Sequence, residues 1–237
     1  MSYPETTGLG LGLALRETGL SMGNTVARAI RYFRINEGST DYATIPPITL
    51  SADFVIEFVS LGVAATFGRI LGNTASFDNE VRLNSDDASL SMKFSAGVSR
   101  QITFDAGITR GNLNKFKISR VSGVVSLTLN GVIQASTFVD AGALNLDAVH
   151  KSSTSINTGV VSNLIFTDAG TLTRSYPINE ASGTAIFDEV SGQDGTIVLG
   201  SDDDRGVFQE ITLEGNWQGS ALVVPPWDSV NQILIVS

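Results

Sequence analysis

Apolar residues recur at every second position through much of this chain. From Asp53 to Ser60, Phe54, Ile56 and Phe58 fall on one face and Val55, Glu57 and Val59 on the other, the period of a β-strand. Val81 and Leu83 repeat the pattern, as do Leu90, Met92 and Phe94 beyond the acidic turn Asp86-Asp87, and then Ile102 and Phe104. Phe116 and Ile118 predict one strand and Val125, Leu127 and Leu129 another, with Ser122-Gly123 as the turn between them. Asn130-Gly131 is a strong hairpin signal and predicts a further strand from Val132 to Phe138. Val160 to Phe166 and Leu172 to Ile178 flank the turn Asp168-Ala169-Gly170. Roughly a dozen strands without long helical patterns predict two packed antiparallel sheets, an all-β sandwich.

The two ends read differently. Gly8 to Leu15 alternate Gly and Leu, leaving one face without side chains, so residues 1–24 are expected to form an arm that needs a partner surface. Thr25 to Ile35 fit helical spacing at Val26, Ala29, Ile30 and Phe33, but the alternation of Ile30, Tyr32 and Arg34 with Arg31, Phe33 and Ile35 favours a strand. The sandwich is expected over residues 25–200 and a C-terminal extension over 201–237. The charged break Asp202-Asp203-Asp204-Arg205 lies near the start of that extension, followed by a strand from Val207 to Leu213. An apolar strand, Ile233 to Val236, ends the chain and must pair with something. Leu9, Leu11, Leu13, Leu15, Trp227, Ile233 and Ile235 are therefore the candidate interface residues, and a homo-oligomer is expected.

Composition narrows the chemistry. The 237 residues are 42% apolar and 16% charged, enough to bury a core. There is no cysteine, which excludes disulfides and thiolate chemistry, and the one histidine, His150, excludes a multi-histidine metal centre. A net charge of -9 argues against nucleic acid and anionic membranes as partners. No apolar run is long enough for a membrane-spanning helix, and no signal peptide is expected at the N-terminus.

The run Tyr42-Ala43-Thr44-Ile45-Pro46-Pro47-Ile48-Thr49-Leu50, followed by Ala52 to Phe58, resembles the opening strands of laminin-G-like, concanavalin A-type jelly rolls. Phe116 to Arg120, Gly123 and Val125 to Val132 resemble the hairpin of that group. A narrower likeness runs through Tyr176-Pro177-Ile178-Asn179-Glu180-Ala181-Ser182-Gly183, Phe187-Asp188, Ser191-Gly192, Asp194-Gly195-Thr196-Ile197 and Trp217-Gln218. It is similar to laminin-G-like proteins of tailed bacteriophages, as is Ala29 to Ile35. The resemblance implies a jelly-roll sandwich in a non-enzymatic structural protein of a virion, on the tail, fibre or capsid. It would be held by its terminal extensions to other virion proteins, and a trimer is expected by the same analogy. The competing readings are a glycan- or receptor-binding module contacting a host cell-surface glycan, and a glycan-cleaving depolymerase.

Glucanases of this fold group carry carboxylates spaced along one strand face. Here Glu57 stands alone on its strand, while Asp188 and Glu189 are adjacent and would face opposite sides. A Ser-His-Asp arrangement would require His150, which precedes the polar run Lys151 to Ser155 and is expected in an exposed turn. No cofactor is expected. A structural calcium would draw on Asp188, Asp194 and Asp202 to Asp204, or on Asp78, Asp86 and Asp87. Glycan contact would use aromatic platforms, for which Tyr42, Tyr176 and Trp217 are the candidates.

Overall fold

The computed structural model describes residues 28–35, 42–60, 67–84, 88–95, 97–108, 114–152, 155–156, 159–178, 180, 184–198, 208–213, 227–228 and 233–234, the terminal strands by backbone alone. These residues form two antiparallel sheets, and no helix occurs among them. One sheet has nine strands. Its order is β10 (Val132–Ile133), β9 (Val124–Leu129), β8 (Asn114–Val121), β3 (Phe54–Ser60), β15 (Gly159–Asp168), β1 (Arg28–Ile35) and β19 (Phe208–Leu213). Beside that path, β11 (Phe138–Val139) pairs with β9 and β16 (Thr171–Tyr176) with β15.

The other sheet has eight strands, in the order β17 (Ala185–Ile186), β18 (Gly195–Val198), β2 (Tyr42–Leu50), β12 (Leu144–Val149), β4 (Phe67–Gly72), β5 (Glu80–Asn84), β6 (Ser89–Lys93) and β7 (Ser99–Thr103). Two short ladders complete the set: β13 (Lys151–Ser152) with β14 (Ser155–Ile156), and β20 (Trp227–Asp228) with β21 (Ile233–Leu234). The architecture is a jelly-roll sandwich. The β1 segment is a strand, as its alternation indicates. Strand β19, from residues read in the sequence as a C-terminal extension, pairs with β1 along six residues, from Arg28↔Leu213 to Phe33↔Phe208.

The core follows directly from period two. Strand β3 alternates strictly, with Phe54, Ile56 and Phe58 buried. Its register with β8 sets Phe58 against Phe116 and Ile56 against Ile118, and the two phenyl rings stack with centroids 4.9 Å apart. The same core cluster takes in Val81, Leu83, Leu90, Met92 and Ile102 of the other sheet and Phe94 just beyond β6, all fully buried. Each such side chain contributes about 1.5–3 kcal/mol through burial.

The predicted turns sit where expected. Ser122-Gly123, Asn130-Gly131 and Ala169-Gly170 are each a pair of left-handed residues, the geometry of tight hairpins whose twist matches the strands. Gly131, at φ +85°, occupies a conformation that side chains resist.

Two expectations need correction, and two central strands have no legible alternation. The single strand from Val132 to Phe138 is two short ones, β10 and β11, because the chain turns inward between them to bury Gln134. The central strands β4 and β12 lack a clean alternation: both carry register shifts, and Ala148 and Val149 are buried consecutively. His150 does lie in a turn, at φ +62°, but it is fully buried rather than exposed. The left-handed turn folds its imidazole onto β4, where Nδ1 lies 2.8 Å from the Arg69 carbonyl and the backbone N–H donates to Ile70.

Candidate functional site

Two of the depressions on the described surface are lined by polar side chains. The larger, about 290 Å³, lies at one end of the sandwich beside the β9–β10 hairpin. Its polar wall is Asp105, Asn114, Asn130 and Gln134, its apolar floor is Ile108 and Leu129, and Val132 stands at its edge. The wall is held rigidly. Gln134 Oε1 accepts the Asp105 N–H at 2.7 Å while its Nε2 donates to the Val132 carbonyl at 2.9 Å. Asn130 Oδ1 accepts the Lys115 N–H at 2.8 Å, and its Nδ2 donates to Asn114 Oδ1 at 3.0 Å. Asp105 in turn accepts the Ala135 N–H through both oxygens. Three carboxamides and a carboxylate over an apolar floor form a preorganised hydrogen-bonding surface. Val132 is 61% exposed and marks the rim.

The smaller depression, about 170 Å³, is a cleft between the two sheets, lined by Pro47, Ile48 and Thr49 of β2, Asp168 of β15, and Thr173 and Arg174 of β16. Arg174 links it to a turn at residues 187–194, whose hub is Asp188. The Asp188 carboxylate accepts the N–H groups of Ser175, Val190 and Ser191 and the Ser191 hydroxyl, and Arg174 Nε stands 3.6 Å away. Burial alone would raise this carboxyl; the hydrogen bonds outweigh burial and hold it below the usual carboxylate range.

Asp194 accepts the Asp188 N–H at 2.9 Å, and Glu180 accepts the Phe187 N–H at 2.8 Å. Gly195 brings β18 so close to β2 that a Cβ there would lie 2.7 Å from the Thr44 carbonyl. The turn at residues 187–194 is thus bonded to itself, to Glu180 and to Ser175.

The sequence-predicted residues fall in separate places. Tyr176 is fully buried, and its hydroxyl donates to the Gln193 carbonyl at 2.9 Å; burial, then the charge of Asp188, push its pKa up to about 12. A buried ring offers no platform to a glycan, so Tyr176 is a core residue. Tyr42 is half-buried, with the Lys151 ammonium 3.7 Å from its ring centroid, so one face is already covered.

Trp217 and Leu9, Leu11, Leu13, Leu15 and Ile235 lie outside the described residues, as do Asp86, Asp87 and Asp202 to Asp204. The backbones of Trp227 and Ile233 belong to the β20–β21 ladder, so this end of the chain pairs with itself. Among the proposed calcium ligands, Asp188 is saturated by hydrogen-bond donors and Asp78 pairs with Lys93 at 3.1 Å. No cluster of three or more potential metal-ligating side chains occurs among the described residues.

No family model and no curated protein matches this sequence. The fold matches solved structures at low identity. A Bacteroides ovatus protein provisionally named a carbohydrate-binding protein is similar at 12% identity and a TM-score of 0.52, over 81% of this chain and 70% of that one. A heptameric SAP-like pentraxin from Limulus polyphemus gives 12% and 0.45, over 58% of this chain and 75% of that one. The carbohydrate-binding module CBM66 of Bacillus subtilis gives 9% and 0.37, over 62% and 94%. These likenesses concern the fold.

Proposed function

We propose that this chain is a non-enzymatic glycan-binding β-sandwich module and that the sandwich-end pocket is its sugar site. The observation that carries the reading is the convergence of Asn114, Asn130, Gln134 and Asp105 over Ile108 and Leu129, with Val132 at the edge. Carboxamides meet sugar hydroxyls as donor and acceptor at once, and the apolar floor suits the C–H face of a ring. The name carried by the similar Bacteroides ovatus protein points the same way. The setting we infer is the surface of a tailed-phage particle, on the sequence likeness of the stretch from Tyr176 to Ile197. There the module would be held among other virion proteins as a homo-oligomer.

The test is a glycan array with the full chain, followed by calorimetry on the glycans retained. Val132→Arg blocks the rim without touching the core. Binding should fall about tenfold or more in that variant, a difference of about 1.4 kcal/mol, and no reducing sugar should be released. An array without binding, or full affinity in Val132→Arg, contradicts the reading.

A further inference from the structure

Asp105 is the one charged side chain among the described residues that line the end pocket. It is exposed there, and its two oxygens share a single donor of the chain, the Ala135 N–H, at 3.2 and 3.1 Å. No ion pair with a described lysine or arginine holds it, whereas Lys93 holds Asp78 at 3.1 Å and Arg69 holds Glu80 at 2.8 Å. A carboxylate accepts about four hydrogen bonds, so most of the capacity of Asp105 is unspent.

The carboxamides of the wall are committed differently. Gln134 and Asn130 each receive a backbone N–H on the carbonyl oxygen and give one amide hydrogen to the chain, to the Val132 carbonyl and to Asn114 Oδ1 respectively. Asn130 is exposed and keeps a second amide hydrogen. The pocket thus offers a ligand one ionised acceptor with two oxygens and, beside it, a neutral donor. Hydrogen bonds to an ionised acceptor are the stronger kind, so what the ligand donates to Asp105 decides which ligand is held.

Taking this pocket as the sugar site, we infer that Asp105 sets its specificity for an uncharged sugar ring with a free pair of adjacent hydroxyls. The two hydroxyls donate to the two Asp105 oxygens, and one of them accepts from Asn130 Nδ2. A uronic acid brings a second negative charge to a wall where no described side chain is a cation, on a chain whose net charge is already -9.

The experiment uses two matched pairs of glycosides that differ only at C6: methyl glucoside with methyl glucuronide, and methyl galactoside with methyl galacturonide. Each is titrated into the full chain at neutral pH, with NMR readout at the amides of Asp105 to Ile108 and Leu129 to Gln134. In at least one pair the neutral member should bind about tenfold or more tightly than the acid. Asp105→Asn keeps the size of the side chain and an acceptor for the Ala135 N–H. It should weaken the neutral glycoside about tenfold and bring the two members of the pair to similar affinity. High salt tests the same charge without a variant: at about 1 M the Debye length is about 3 Å, and the preference of the unaltered protein should narrow. Acids that bind as tightly as their neutral partners overturn the inference. So does a preference that stays as wide in Asp105→Asn or, should that variant not fold, at high salt. Either result with shifts still at Leu129 to Gln134 removes the role of Asp105 and leaves the pocket as a glycan site. Silence at all these amides with all four glycosides also overturns the inference, and the array then decides the pocket separately.

Discussion

Arg120 and Asp168 are neighbouring charged groups of the same sandwich, satisfied in opposite ways. Arg120 is 2% exposed, yet its guanidinium donates to the carbonyls of Leu50, Ala52 and Gly142 and lies 4.6 Å from the Phe54 ring centroid and 5.8 Å from that of Phe94. Burial pulls its pKa down, while Asp140, Asp53 and Asp168 push it back up. Asp168 Oδ1, closed off from solvent, has no donor. A buried charge whose hydrogen-bonding capacity is spent on the chain holds the fold together; one left without a donor does not. The Asp188 turn belongs with Arg120 on this scale, since donors of the chain surround its carboxylate.

The comparison can be broken most forcefully at Arg120. Arg120→Met removes the donors and strands three carbonyls that tie both sheets together, and should cost about 3–5 kcal/mol in denaturant unfolding. Asp168→Asn, measured alongside, should change stability by no more than about 0.5 kcal/mol. Comparable losses in the two variants would erase the distinction.

Asp188→Ala comes between them, at about 2–3 kcal/mol, because several donors of one turn lose their acceptor together. This carboxyl titrates lower folded than unfolded. Its stabilisation is therefore full above the unfolded value of about 3.9 and is lost as pH falls through the folded value. Tyr176 behaves oppositely: its raised pKa gives stability that is full below about 10 and lost as pH climbs toward about 12. Thermal melts across pH should show an acid limb that Asp188→Ala flattens and an alkaline limb that Tyr176→Phe flattens. Limbs that persist unchanged in both variants would assign the titrations elsewhere.

Much of the sandwich was legible because period two is a direct image of a sheet with one buried face. The strands through Phe54, Phe116 and Val125 and the turns at Ser122-Gly123 and Asn130-Gly131 follow from it. The same alternation places Arg120 on the face of Phe116 and Ile118, but charge alone suggests a surface residue, and the carbonyls that satisfy it come from segments remote in sequence. His150 was misread for a similar reason: a polar neighbourhood in sequence did not reveal the β4 carbonyl that receives the ring.

The sites were the least legible part. Asn130 looks like an ordinary turn residue, and only the fold brings it and Gln134 beside Asp105 and Asn114. The residue types of Tyr176 and Asp188 pointed to ligand or metal chemistry, whereas their hydrogen bonds are internal.

The central claim is that the carboxamide-walled pocket at the sandwich end holds a glycan. The most direct test is an amide-resolved NMR titration of the full chain with the glycan selected on the array. The account predicts its largest shifts at Asp105 to Ile108 and at Leu129 to Gln134, with affinity weakened about tenfold or more by Val132→Arg. Saturable shifts confined to residues away from this pocket, with those segments unmoved, would contradict it.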